Sequence, residues 1–253
     1  MKKTAIAAIL AAMTPMAAQA DLLFTLGAKA SIWNAEPTGQ LDDGVSVESD
    51  GLNLDSENGQ QLGVYFEHPL PFIPNIRLKQ TTLEIEGDGT FNQSFLGENF
   101  NGDVKSSMDL SHNDLTLVWG LPLPLPFIDF NFGLTARQFD GEVSATGTVG
   151  GIQQEADTVT LDFVMPLLFG EVTVDTPFGI YGYADVNYIG FSGNKLQDMS
   201  AGIGYDLPIP IVDLGLEAGY RAITLETDED LADIDTDVEV KGAYFGANFS
   251  VGF

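Results

Sequence analysis

The 253-residue sequence predicts an all-β fold, a transmembrane antiparallel up-and-down β-barrel of about ten strands. Three observations predict it. Segments of roughly ten residues alternate apolar with small or polar side chains, which puts one face toward lipid and the other toward a lumen. Short apolar, Pro-rich turns alternate with longer acidic, Gly-rich stretches. The sequence closes on a segment in which Ala243, Phe245, Ala247, Phe249, Val251 and Phe253 share one face. Gly242, Tyr244, Gly246, Asn248, Ser250 and Gly252 share the other.

The N-terminus reads as a leader. Met1-Lys2-Lys3 is a positive n-region, and Thr4 to Ala12 is apolar but too short to span a bilayer as a helix. Ala18-Gln19-Ala20 is a small-x-small cleavage site, so residues 1–20 are expected to be a signal peptide and 21–253 the barrel. No other segment approaches the length of a spanning helix.

The strands follow in order. Leu22 to Ile32 directs Leu22, Phe24, Leu26, Ala28, Ala30 and Ile32 outward and Thr25, Gly27, Lys29 and Ser31 inward. Gln61 to Glu67 shows Leu62, Val64 and Phe66 to lipid. Ile76 to Glu86 alternates poorly, and a phase slip between Leu78 and Leu83 reads as a bulge. Met108 to Gly120 puts Leu115, Leu117 and Trp119 outward. Phe127 to Phe139 is the cleanest, with Ile128, Phe130, Phe132, Leu134 and Ala136 set against Asp129, Asn131, Gly133, Thr135 and Arg137. Thr158 to Val174 holds Val159, Leu161, Phe163 and Met165 before an interruption at Pro166. Ile180 to Phe191, Leu196 to Leu207, and Val212 to Leu225 come next, and the closing strand is the tenth.

The connections are of two kinds. Pro69 to Asn75, Pro122 to Asp129, Asp175 to Gly179 and Leu207 to Asp213 are Pro-containing turns, since Pro cannot donate to a central ladder. Asn34–Gly59, Gly87–Ser107, Gly141–Asp157, Ser192–Lys195 and Glu226–Val238 are acidic or polar loops. Short turns at one end and long loops at the other match periplasmic turns and extracellular loops, and an even strand count leaves both termini periplasmic. Twelve strands would require strands within the acidic loops, where the sequence shows no apolar face. Trp33, Trp119, Tyr205, Tyr220, Phe127 and Phe253 fall near strand ends, where aromatic girdles form.

Charge narrows the partners. Formal net charge is −27, and without residues 1–20 eight Lys+Arg face 37 Asp+Glu, or −29. That field excludes nucleic acid and favours cations, although an acidic, salt-adapted proteome accounts for it equally well. There is no cysteine, so neither disulfides nor thiolate metal sites are available. Lys29, Arg137 and Arg221 take the inward parity, with Arg77 and Lys79 beside them. Glu67, Asp129, Asp185, Glu217 and Glu171 are the inward acids. A narrow barrel is filled by side chains, and charges inside it must pair or stay wet. The expectation is a charged lumen plugged by a network of these residues, with a narrow cation-preferring channel as the alternative.

Catalytic patterns are weak. Ser111 and His112 are adjacent and point to opposite faces of a strand, so they cannot meet. His112 and Asp114 lie inward at i, i+2. The ten-stranded omptin proteases use an Asp–His and an Asp–Asp pair at the barrel mouth, but no matching pattern surrounds this pair. No nucleotide loop or cofactor motif is present. No catalytic, cofactor-binding or metal-ligating residue is assigned, and the chain is read as not an enzyme, with an outer-membrane hydrolase as the second alternative. Asp233, Asp235, Asp237 and Glu239 share one extended face beside Asp228-Glu229-Asp230. They form a candidate ladder for divalent cations bridging to lipopolysaccharide phosphates, or simply a solvated acidic loop.

Three resemblances accompany these readings. The closing segment resembles the last strand of bacterial outer-membrane barrels, which implies recognition by the barrel-assembly machinery. Met1 to Ala7 is similar to the leader of a major enterobacterial outer-membrane protein. The mature length resembles a family of Gram-negative outer-membrane barrels with no established activity. That likeness rests on His68 to Pro71, Pro74 to Leu78, Ala184 to Ile189 and Val212 to Arg221. It implies fold, outer-membrane localisation and partners in lipid and lipopolysaccharide, but no mechanism.

Overall fold

Alternation over long stretches leaves these segments no way to satisfy their backbone except by pairing with one another. A computed structural model describes residues 24–42, 44–70, 72–149, 152–155, 158–209, 212–227 and 234–252. The expected leader, Phe253, Asp228 to Asp230 and Asp233 lie outside them. In chain order the strands are β1 (Thr25–Leu41), β2 (Val45–Ser46), β3 (Glu57–Glu67), β4 (Asn75–Thr82), β5 (Glu84–Phe95) and β6 (Glu98–Asp109). They continue as β7 (His112–Gly120), β8 (Ile128–Phe139), β9 (Gly141–Val149), β10 (Ile152–Glu155) and β11 (Val159–Leu161). The last five are β12 (Val164–Asp175), β13 (Ile180–Phe191), β14 (Asn194–Leu207), β15 (Asp213–Thr227) and β16 (Thr236–Gly252).

Ten of these close one barrel in the order β1-β3-β4-β7-β8-β12-β13-β14-β15-β16. The ring shuts by pairing β16 with β1, from Thr25 opposite Gly252 to Leu41 opposite Thr236. Every pairing around it is antiparallel. Closure leaves no strand edge in lipid. The outward parity forms an apolar belt that includes Ile32, Leu62, Leu134, Leu168, Ile203 and Phe245, all exposed. Trp119 stacks on Phe132 with ring centroids 5.9 Å apart on that outer face.

The loop end is built differently. β5, β6, β9 and β10 form a second sheet, with β11 also paired to β9. Here polarity inverts. Glu84, Glu86, Asp88 and Asp103 face out, while Ile85, Phe100, Val104, Met108 and Val143 are buried. Lipid no longer lies outside, so burying apolar groups inward is the favourable arrangement, worth about 1.5–3 kcal/mol per large side chain. The segment after β1 folds over this core with Val45, Val47, Leu52 and Leu54 buried. Leu54 bridges to Gly87, where an added Cβ would come within 2.6 Å of the Asn53 carbonyl.

Several sequence expectations are corrected by this inversion. The acidic stretches do contain strands with an apolar face. No phase slip occurs near Leu83: Arg77, Lys79, Thr81, Leu83 and Ile85 all stay inward as the chain passes from β4 to β5, and only the character of the interior changes. Trp33 is not in a girdle; it points inward and is fully buried, whereas Tyr205, Tyr220 and Phe127 are exposed. The interruption expected at Pro166 lies between β11 and β12. Pro166 itself sits within β12, opposite Ala136 of β8, and the ladder to β13 begins only at Leu168.

Candidate functional site

Inside the belt the inward parity carries five of the eight strand-borne cations, Lys29, Arg77, Lys79, Arg137 and Arg221, and each finds an acid. Asp198 on β14 is the centre of one layer. Arg137, from β8, donates to it at 2.5 Å and to both oxygens of Asp114 on β7 at 2.7 and 2.8 Å. Arg221, from β15, donates to both Asp198 oxygens at 2.9 and 2.8 Å and to Thr81 Oγ1 on β4 at 3.2 Å. Lys79 Nζ lies 3.6 Å from Asp114 and 3.9 Å from Asp198. Strands on opposite sides of the barrel are therefore joined across the lumen. Trp33 covers this layer from the loop side, with its ring 4.9 Å from the Arg221 guanidinium carbon. Beyond Trp33 stand Phe139, Met165, Leu167, Leu196 and Ile223, all buried.

Two further pairs lie closer to the turn end. Arg77 makes a two-bond contact with Glu171 at 2.7 and 3.0 Å, with Glu67 3.7 Å away. Lys29 donates to Glu217 at 3.1 Å and sits 5.5 Å from the Tyr183 ring centroid. Tyr181 and Tyr183 also donate to Glu217, at 2.8 and 3.3 Å, and Asn248 does so at 2.9 Å. These tyrosines lie flat against inward glycines. An added Cβ at Gly204 would sit 2.1 Å from the Tyr181 ring, and one at Gly219 would sit 2.5 Å from the Tyr244 hydroxyl. Laid against the wall, the rings leave a cavity of about 510 Å³ below the Asp198 layer. Asp175, Asp206 and Asp213 stand exposed at its turn-end mouth.

Of the inward residues expected from sequence, Lys29 meets Glu217, and Arg77 meets Glu171 and Glu67. Asp185 meets the Ser200 hydroxyl, and Asp129 is exposed at the turn end. Asp198, the hub, was missed, as were Tyr181, Tyr183 and Tyr244. The signal for Asp198 was available: Met199, Ala201, Ile203 and Tyr205 alternate outward, which puts Asp198 inward.

The chemistry open to the layer is limited. His112 Nδ1 is 2.7 Å from the Leu110 carbonyl and donates to it, leaving Nε2 to accept from Arg221 at 3.3 Å. Asp114 therefore does not serve His112, and both are buried away from water. Ser111 Oγ accepts from the Leu83 amide, so Ser111 and His112 do not meet. His112, Asp114 and Asp198 offer ligand atoms within 4.8 Å of one another. Two guanidinium groups and a nearby ammonium already occupy that space, and a divalent cation does not fit their charge. On the outer surface above the belt, Lys195 and Lys241 are held above the usual lysine range by hydrogen bonds to Glu226 and Glu239, each 2.6 Å long.

The ladder shut from β1 to β16 and the exposed apolar belt decide the environment. This chain is an integral outer-membrane β-barrel. No protein-family model matches it, and no curated protein matches it. Among solved structures it is similar to the outer-membrane protease OmpT of Escherichia coli, at 11% identity over 93% of this chain and 100% of that one, with a TM-score of 0.46. It is also similar to Neisserial surface protein A, at 12% identity, 91% and 97% coverage and a TM-score of 0.32. Ail of Yersinia pestis, solved with the heparin analogue sucrose octasulfate, shares 12% identity over 89% and 98% of the chains, with a TM-score of 0.35. These likenesses assign neither an activity nor a ligand.

Proposed function

We propose that this protein serves the envelope as a surface-facing structural barrel whose lumen does not conduct and whose interior carries no catalytic step. The observation behind this reading is the cross-lumen layer of Arg137, Asp114, Asp198 and Arg221, backed by the apolar core around Trp33. Moving an ion through it would mean parting buried, mutually hydrogen-bonded charges, which costs several kcal/mol for each uncompensated ion. Planar-bilayer recordings of the folded protein are expected to show no stable single-channel steps. The competing reading, a narrow cation-preferring channel, draws on the acidic turn-end mouth. Reproducible cation-selective steps would overturn closure in its favour.

The exposed acids of the loop end are the part of this reading that meets lipopolysaccharide. Asp235 and Asp237 are exposed, and Glu239 is half-buried on the same outward face of β16. In this proposal they hold divalent cations shared with lipid phosphates. Calcium is expected to raise the unfolding temperature of the barrel in lipopolysaccharide-containing bilayers. No change across the titration would remove the cations from the reading.

A further inference from the structure

The cavity below the Asp198 layer has a charge pattern that the closed lumen does not require. Four cations line it, and each is already held by an acid: Lys29 by Glu217, Arg77 by Glu171, and Lys79 and Arg221 by Asp198. Four lining carboxylates, Asp175, Asp185, Asp206 and Asp213, have no cation within ion-pair distance among the described residues. Asp185 takes a hydrogen bond from the Ser200 hydroxyl, and Asp213 takes one from Ser250 at 3.3 Å. The surplus is therefore entirely of acceptors, in a concave site with low-dielectric walls that concentrate the field.

The cavity already shows how it holds an ammonium group. The Lys29 ammonium lies 3.1 Å from the Glu217 carboxylate and 5.5 Å from the Tyr183 ring centroid, the carboxylate-and-aromatic pairing that suits an amine cation. At about 510 Å³ the space is that of a small-molecule pocket. Its unpaired acids are spread along its length. Asp185 pairs with Ser200 on β14, and Asp206 lies six residues further toward the turn end of that strand. At ~3.4 Å per residue that is roughly 20 Å along the strand. A compact ion cannot meet both ends, but a linear molecule with several ammonium groups can.

We propose that this cavity, open at the turn end, binds a linear polyamine, with one ammonium at Asp185 and others toward Asp206, Asp175 and Asp213. Methylene spacers then run along the tyrosine-covered wall. The inference goes beyond the closure of the lumen. It is read by binding rather than by conductance, so the two fail separately.

The test is isothermal titration calorimetry of the detergent-folded full-length barrel with spermine, a four-ammonium chain long enough to reach both ends of the cavity, at about 0.15 M ionic strength, where diffuse attraction is screened. Saturable binding is expected, weakened about ten-fold in Asp185→Asn, the loss of one charge-assisted contact. A similar loss is expected in Asp206→Asn, an exposed rim position whose change leaves the barrel's heat-modifiable gel mobility intact. Should Asp185→Asn not fold, the rim variant carries the test. Absence of saturable heat, unchanged affinity in the folded variants, or displacement of spermine by magnesium at equal charge concentration would each overturn the proposal.

Discussion

Asp198 shows what a buried carboxylate demands. Two guanidinium groups converge on it, and each brings further partners of its own: Arg221 reaches the neutral Thr81 and His112, while Arg137 holds a second carboxylate, Asp114. Removing one member strands the rest. Arg137→Met is expected to destabilise the barrel by about 3–5 kcal/mol, because it leaves Asp114 with only the more distant Lys79. Urea unfolding in lipid vesicles measures this, and an unchanged midpoint would show that the layer is not a structural unit. Adding Asp114→Asn to that variant is expected to recover part of the loss, since the stranded charge is then gone. The inward parity of Arg137 and Arg221 was legible from their neighbours in sequence. Their meeting at one aspartate was not, because β8 is far in sequence from β14 and β15, and alternation says nothing about which wall a long side chain reaches.

At the scale of the element, the informative event is the change of solvent along a single strand. β1 carries Lys29 and Ser31 inward within the belt and Trp33 and Ala35 inward above it, on one unbroken parity. A search for greasy-out, polar-in segments stops where lipid stops. It therefore ended the first strand at Ile32, nine residues before Leu41, and left the acidic stretches without strands. The second sheet packs its apolar face into the buried core that fills the loop end, shared with Trp33, Leu196, Ile223 and Val240 of the barrel strands. Val104→Asp is expected to open β5, β6 and β9 while the ten-stranded ladder persists, because their pairings are with one another rather than with the barrel wall. Lys105, exposed beside Val104, reports on this: trypsin is expected to cut there faster in the variant, with the barrel fragment still heat-modifiable. Equal cleavage rates in the two proteins would mean that the sheet is held by more than its apolar face.

At the scale of the molecule, the two ends are unlike. The loop end is filled by apolar side chains under a folded-over segment, and the turn end opens into an acidic cavity. The middle is a layer in which two carboxylates are shared among three cations. In the proposed reading, closure at the loop end makes the interior a cup, which is why conductance and polyamine binding are separate measurements on one object. From the sequence alone came the all-β class, the count of ten barrel strands, the lipid-facing parity and the two kinds of connection. Each of these follows from a local period or a local turn residue. The tertiary structure alone decided that the acidic stretches form a sheet, that Trp33 is buried on Arg221, that Asp198 is the hub, and that tyrosines on glycines leave a cavity. The physical reason is that those outcomes depend on what lies across the lumen or above the bilayer. A strand's own alternation specifies its two faces but carries no record of which medium, or which partner, each face will meet.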